Sequence, residues 1–345
     1  MLDIDARSCY FIAELGHNHQ GDLSKALEMV DAAAEAGASA VKLQKRNNRS
    51  IFTSKMYNAP YNSENSFGRT YGEHREALEL TEREYEVIRD HARLRHVDFM
   101  ATAFDQDSAN ILAGLGVNAI KIASADITNT PLLEHVASLG LPLVVSTGGA
   151  TMDDVRHAHD IVIRQAPQVA LLQCTSIYPA EPKDLDLRVI STYINSFPEA
   201  VVGYSGHDLG ADGAIGAYVL GARVIEKHFT LDHKDKGSDH HFSMEPDEFR
   251  QMVGRISAIA EMLGSDTKRL HRDELRALAK MGKHMVASQD LPAGHEVKPE
   301  DIQIRTAGCG MPPNRVASLV GRRLAAAVQK DDPFPDVETE GSYVE

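Results

Sequence analysis

The sequence predicts an α/β protein: a (β/α)8 TIM barrel followed by a small, mostly β domain. Three observations carry this expectation. Short apolar runs alternate with helical patterns eight times within roughly the first 265 residues, the rhythm of parallel βα units. Those runs end abruptly in polar residues, as strands do when they deliver side chains to a barrel mouth. Beyond about residue 280 the rhythm changes to short strand-like runs punctuated by Gly308, Gly310, Pro312 and Pro313.

The first strand is expected over residues 10–13, ending at Glu14, with apolar residues at helical spacing over 23–36. Further strands are expected over 40–44, 97–102, 119–124, 143–147, 169–174, 200–204 and 223–226, with helical patterns such as 82–95, 152–164 and 247–263 between them. An open doubly wound sheet is the alternative. No Gly-x-Gly-x-x-Gly turn follows any strand, which argues against it. The expected division is a barrel over 1–265, a charged linker over 266–282 and the small domain over 283–345. About sixty residues bury too little to be stable alone, so the small domain should dock on something.

One connection breaks the pattern of short loops. Residues 45–80 carry Arg46, Arg49, Arg69 and Arg75 among tyrosines and asparagines, and a loop this long in a compact domain reads as a substrate cover rather than a solvated excursion.

The 345 residues are 43% hydrophobic and 25% charged, ordinary for a globular protein. A net charge of −14 argues against nucleic acid or an anionic membrane surface as partner, since both need a broad cationic face. It leaves room for a small anionic substrate. Cys9, Cys174 and Cys309 are too far apart for a Cys-x-x-Cys pair and read as reduced thiols. Residues 1–7 alternate in charge where a signal peptide needs a basic cap and apolar core, and no run of eighteen apolar residues occurs, so a cytoplasmic location is expected.

The strand ends carry the chemistry. Glu14, Lys42, Gln44, Thr102, Lys121, Ser124, Ser146, Thr147, Thr175, Ser176, Ser205, His207, Glu226 and His228 would face one cavity. A lysine inside an apolar strand, as at Lys42 and Lys121, is costly unless a carboxylate or a bound anion meets it. A buried ion pair is the structural alternative; a clamp on phosphate and carboxylate, with Thr102, Ser124 and Ser205 as further donors, is preferred. His207 and His228 end consecutive strands. A single histidine there would read as a satisfied cap, but two aimed at one point read as ligands of a divalent ion with open positions. His17 and His19 alternate in extended chain and are expected to play a supporting part only. In the loop after the eighth strand, Asp239 offers a hydroxyl acceptor or a base.

Taken together, Glu14-Leu15-Gly16-His17-Asn18-His19, Lys42-Leu43-Gln44, Lys121-Ile122-Ala123-Ser124, Ser146-Thr147-Gly148-Gly149, Cys174-Thr175-Ser176-Ile177-Tyr178-Pro179, Glu226-Lys227-His228-Phe229-Thr230-Leu231-Asp232 and Gly237-Ser238-Asp239-His240 resemble the sialic acid (N-acetylneuraminate) synthase family over nearly the whole chain. The C-terminal part is similar to the antifreeze-like (SAF, β-clip) domain of that family. The resemblance implies condensation of phosphoenolpyruvate with an open-chain N-acyl amino sugar, such as N-acetylmannosamine, to a nonulosonic acid and phosphate. It implies a divalent ion, manganese or magnesium, on His207 and His228. It matches Lys121, Thr102, Ser124 and Ser205 to phosphoenolpyruvate, with Lys42 close by and Ser146 and Ser176 among the surrounding hydroxyls. Glu14 matches a carboxylate that orients substrate or handles a proton, and Gln44, Tyr178 and Asp239 face the sugar. Arg305 matches an arginine set over the barrel mouth of the partner subunit, which implies a homodimer with a swapped lid.

The chain departs from the family pattern at Gly206, where aspartate is common, at Ser176, at Gly149 and along 305–308. Metal binding survives these departures, but the identity of the sugar does not follow. Another phosphoenolpyruvate-dependent 3-deoxy sugar acid synthase, acting on a different or phosphorylated aldose, is the nearest rival; the appended small domain argues against it. A non-catalytic sugar-binding protein is the rival of another class. It has no use for Glu14, Lys121, His207 and His228 together.

Overall fold

The computed structural model describes residues 9–336 and 343–344. The chain divides into two compact units, Met1–Gly264 and Ser265–Glu345.

In the first unit eight parallel strands close in sequence order into a barrel. They are β1 (Tyr10–Gly16), β2 (Ala40–Lys45), β3 (Asp98–Ala103), β4 (Ala119–Ile122), β5 (Leu143–Ser146), β6 (Val169–Cys174), β7 (Val201–Gly206) and β8 (Val224–His228). Each is followed by at least one helix, the last being the 18-residue Pro246–Leu263. β1 pairs with β2 on one side and β8 on the other, which closes the ring.

The strands are buried on both faces, so their sequences are continuously apolar until the mouth is reached. Alternation then sorts the side chains. Tyr10, Ile12, Ala40, Met100, Ala119, Val144, Ala170, Leu172 and Val224 fill the barrel interior. Phe11, Ala13, Leu15, Val41, Leu43, Phe99, Ala101, Ile120, Val145, Tyr204 and Ile225 point outward and pack with the helices in a larger core. Two residues further along the inward rows come Glu14 after Ile12, Lys42 after Ala40, Thr102 after Met100, Lys121 after Ala119, Ser146 after Val144 and Glu226 after Val224. The interior therefore turns from apolar to ionisable as it nears the carboxyl ends.

The connection after β2 holds three short helices, Asn48–Ile51, Ser54–Tyr57 and Tyr71–Glu76, before the main helix Glu82–Leu94. Thr53, Thr70 and Thr81 accept backbone N–H groups at three of these helix starts. An aromatic cluster of Phe52, Tyr61, Phe67, Tyr71 and His74 packs the segment internally. The expected substrate cover is thus a folded excursion with its own small core.

The second unit is small and turn-rich. The helix Glu274–Met281 lies in the stretch expected as a linker, and β9 (His284–Ala287) pairs antiparallel with β10 (Ile302–Arg305). β11 (Arg323–Leu324) pairs with β12 (Tyr343–Val344). Met285, Ala287, Leu291, Val297, Met311, Leu319, Leu324 and Phe334 form its core. No helix among the described residues is long and apolar enough to cross a membrane.

Candidate active site

A cavity of about 890 Å3 opens at the carboxyl ends of the barrel strands. Glu14, Lys42, Gln44, Thr102, Lys121, Ser124, Ser146, Ser176, Tyr178, Ser205, His207, His228 and Asp239 all line it. Thr147 and Thr175, expected at the same mouth, do not line it: their hydroxyls donate instead to the Leu172 and Asp184 carbonyls, at 2.9 and 2.8 Å. Arg305 belongs to the second unit, at the end of β10, where it pairs with Asp331 at 3.0 Å.

At the cavity floor Lys42 Nζ lies 2.6 Å from Glu14 Oε2, 3.6 Å from Glu226 Oε1 and donates to Thr102 Oγ1 at 2.9 Å. Strand register produces this grouping, because Glu14 stands opposite Lys42 on β2 and opposite His228 on β8. Burial is the largest single influence on the Lys42 ammonium and opposes its charge, but Glu14 and Glu226 together outweigh it and raise its pKa. Burial lifts the Glu14 carboxyl, against the pull of Lys42.

Lys121 is less well compensated. It donates to Ser146 Oγ at 2.6 Å and to the Ile122 carbonyl at 3.1 Å, and its nearest carboxylate oxygen, Glu226 Oε2, is 4.0 Å away. Burial lowers its pKa, the adjacent Lys42 adds to this and Glu226 opposes it. A buried ammonium with mostly neutral partners, in a cavity that the hydroxyls of Ser124 and Ser205 also line, is suited to receive an anion. Glu226 is held from the other side by Ser205 Oγ at 3.4 Å, and the two lysines and two histidines around it overcome its burial and keep its pKa low.

His207 and His228 face each other with ring centroids 5.4 Å apart. His207 Nδ1 donates to the Thr175 carbonyl at 2.8 Å, which leaves the lone pair on Nε2. His228 Nδ1 is buried without a hydrogen bond, its nearest carboxylate being Asp239 Oδ2 at 3.9 Å. Burial holds the His228 pKa down at about 4, so the ring is neutral at pH 7 and able to ligate. Phe242 meets the His228 ring edge-on and Tyr178 lies against His207. Among the described residues no group of three or more His, Cys, Asp or Glu side chains is arranged to hold a metal. The two facing imidazoles, one with an unpartnered buried nitrogen, nevertheless fit a divalent ion that takes two protein ligands and keeps its other positions for small molecules.

The wall on the β2 side brings in groups that strand-end reasoning did not assign. Arg46 is buried, stacks on Phe104 at 4.0 Å, donates to Gln44 Oε1 at 2.7 Å and to a His17 ring nitrogen at 3.0 Å. Gln44 in turn donates to Glu14 Oε1 at 2.7 Å, so a continuous chain of hydrogen bonds runs from Arg46 to Lys42. Arg75 also lines the cavity, held by the Tyr71 hydroxyl at 2.9 Å. Burial and the neighbouring Arg75 bring the Arg46 pKa down to about 10. His17 and Asn18 lie in a turn, not in extended chain; both line the cavity, and Asn18 ties the turn to the Phe229 carbonyl at 2.8 Å. Glu226 was visible in the sequence only as one more strand-end carboxylate. Its place between two lysines follows from the barrel closing.

A closed parallel barrel with paired lysines, carboxylates and facing histidines at its carboxyl mouth is the architecture of a barrel enzyme. The chain belongs to the NeuB family, which it matches over residues 29–268, with a SAF domain over 285–337. It is 39% identical to the N-acetylneuraminate-9-phosphate synthase of Homo sapiens, covering 94% of this chain and 90% of that protein. It is 38% identical to the N,N'-diacetyllegionaminic acid synthase of Legionella pneumophila, over 92% of this chain and 91% of that one. Among solved structures, the N-acetylneuraminic acid synthetase of Leptospira borgpetersenii in complex with citrate superposes with a TM-score of 0.70 at 32% identity, covering 79% of this chain and 91% of that chain.

Proposed function

We propose that this protein condenses phosphoenolpyruvate with the open-chain aldehyde of an N-acyl amino sugar, giving a nonulosonic acid and inorganic phosphate. The observation that carries the reading is the under-compensated Lys121, set in one cavity with Lys42 and the facing pair His207 and His228. Relatives named as synthases of neuraminic and legionaminic acids support it.

Lys121 and Lys42, with Thr102, Ser124, Ser146, Ser176 and Ser205, bind the phosphate and carboxylate of phosphoenolpyruvate through charge-assisted hydrogen bonds. His207 and His228 are the residues that would hold manganese or magnesium, and the chemistry such an ion supplies there is Lewis acidity towards an aldehyde oxygen. Gln44, Tyr178 and Asp239 orient the acceptor. Glu14, fixed by Lys42 and Gln44, is placed to hold a proton near the reacting carbons or to steer water, and the closed floor keeps bulk solvent away. Arg46 and Arg75 meet an anionic group at the far end of the acceptor, a phosphate in the first instance. Two guanidiniums sharing a wall repel one another, and a dianion between them removes that cost. Arg305 acts across a homodimer, over the mouth of the other subunit's barrel.

The test strips metal from the protein, restores manganese or magnesium, and measures phosphate release from phosphoenolpyruvate with N-acyl hexosamines and their 6-phosphates. Metal-dependent release with at least one acceptor is expected. Absence of release with every acceptor overturns the reading.

A further inference from the structure

The outward side of the same two strand ends holds a buried polar cluster that the chemistry above does not use. On β7 and β8 the inward row carries Ser205, His207, Glu226 and His228, so Tyr204 and Lys227 point the other way, under the surrounding helices. Tyr204, Asp208 and Lys227 are 1%, 4% and 1% exposed. Lys227 Nζ donates to Asp208 Oδ1 at 3.1 Å and also to the Asp208 backbone carbonyl. The Tyr204 hydroxyl donates to the same Oδ1 at 2.7 Å.

Two glycines make room for this cluster. A Cβ at Gly206 would lie 2.5 Å from Asp208 Oδ1 and 2.5 Å from Tyr204 Cε1. A Cβ at Gly213 would lie 2.6 Å from Asp208 Oδ2 and 2.8 Å from the Tyr204 hydroxyl oxygen. Neither position has a positive φ, so close approach of the carboxylate and the phenol explains both glycines. Gly206 and Asp208 are thus one feature: the carboxylate that follows His207 occupies the space a side chain before it would need.

A buried ion pair is seldom worth more than well-packed hydrocarbon, so its use is geometric. Here Asp208 adjoins His207 in the chain and Lys227 adjoins His228. The ammonium grips both the main chain and the side chain of Asp208, and so ties the end of β7 to the end of β8 one residue from each imidazole.

We propose that Asp208, Lys227 and Tyr204, seated in the notch of Gly206 and Gly213, are positioning residues that set the spacing of His207 and His228 for a divalent ion. The proposal rests on reading those histidines as the metal ligands. Three variants of the full chain, Lys227→Met, Asp208→Asn and Gly206→Ala, test it by Mn2+ titration followed by electron paramagnetic resonance, with thermal unfolding of the metal-stripped proteins alongside. Lys227→Met keeps the volume and removes the charge. Gly206→Ala leaves every cluster residue in place but displaces the Asp208 carboxylate.

The expected result is Mn2+ affinity weakened about tenfold to a hundredfold in Lys227→Met and Gly206→Ala, and less in Asp208→Asn, whose amide oxygen still accepts from Lys227 and Tyr204. The metal-stripped Lys227→Met should melt at or above the wild-type temperature, which separates a geometric role from a structural one. Wild-type affinity in folded Lys227→Met and Gly206→Ala overturns the tie while leaving the metal site standing. Unchanged Mn2+ binding in His207→Ala and His228→Ala removes the metal site, and the tie with it.

Discussion

Arg46 shows how a single residue reaches the chemistry through its neighbours. Its guanidinium is buried against Phe104, and its hydrogen bond to Gln44 passes to Glu14 and from there to Lys42. Arg75 stands on the same wall under Tyr71. If the pair receives the anionic end of the acceptor, Arg75→Ala should raise the acceptor KM by roughly ten- to a hundredfold, the loss of one charge-assisted hydrogen bond of about 1.5–3 kcal/mol. The KM for phosphoenolpyruvate should stay where it is, and the unphosphorylated sugar should lose little. Steady-state kinetics with both acceptors decide this, and equal losses for both would remove the phosphate assignment. At this scale the sequence was most informative where chemistry is costly to bury. Lys42 and Lys121 stood out in apolar strands, whereas the place of Glu226 between them waited for the barrel.

The first βα turn is the element whose shape controls most of that wall. Asp22 accepts the backbone N–H groups of Ser24 and Lys25 at the start of the helix Leu23–Glu35. Gly21 takes a positive φ of 76°, and a Cβ there would come 2.3 Å from the Ala77 carbonyl oxygen, so the turn is pressed onto the long β2 connection. His19 is sealed beneath, its Nδ1 accepting from the Gly21 N–H at 3.1 Å. Burial holds its pKa at about 4, below the value near 6.5 of an unfolded histidine. A depressed histidine pKa means that the unfolded chain takes up the proton first. Its contribution is complete above pH 6.5 and is lost as pH falls from 6.5 to 4, by up to about 3 kcal/mol. His17 and His74 are depressed by burial in the same direction and add to the slope. Urea denaturation across that range should show His19→Gln flattening the dependence by about one proton; an unaltered slope would refute the assignment. Eight strands were legible because burial on both faces forces apolar runs of strand length. The turn holding His17 and His19 was not, because reading it as extended chain overlooked the contact with Ala77.

The two units raise a question about the whole molecule. Arg305 lies in the second unit, half-exposed and paired with Asp331, while the cavity is built by the first. If that arginine serves the barrel of a partner subunit, His207→Ala chains and Arg305→Ala chains co-expressed in equal amounts should complement. Half of the dimers would then be mixed, each with one intact site, and activity should return to about a quarter of wild type. Arg305→Ala alone, with its melting temperature unchanged and no complementation on mixing, would place the arginine over its own barrel. The sequence by itself determined the barrel, the small β domain and the identity of the ionisable residues at the strand ends, because burial, strand periodicity and turn chemistry are local constraints. Tertiary structure alone decided which of those residues meet. Closing β8 onto β1 sets Glu14 beside His228 and draws Lys42 and Lys121 towards Glu226. It also turned the Gly206 departure into a notch for Asp208, because the space at residue 206 is taken by a neighbour that no local pattern reveals.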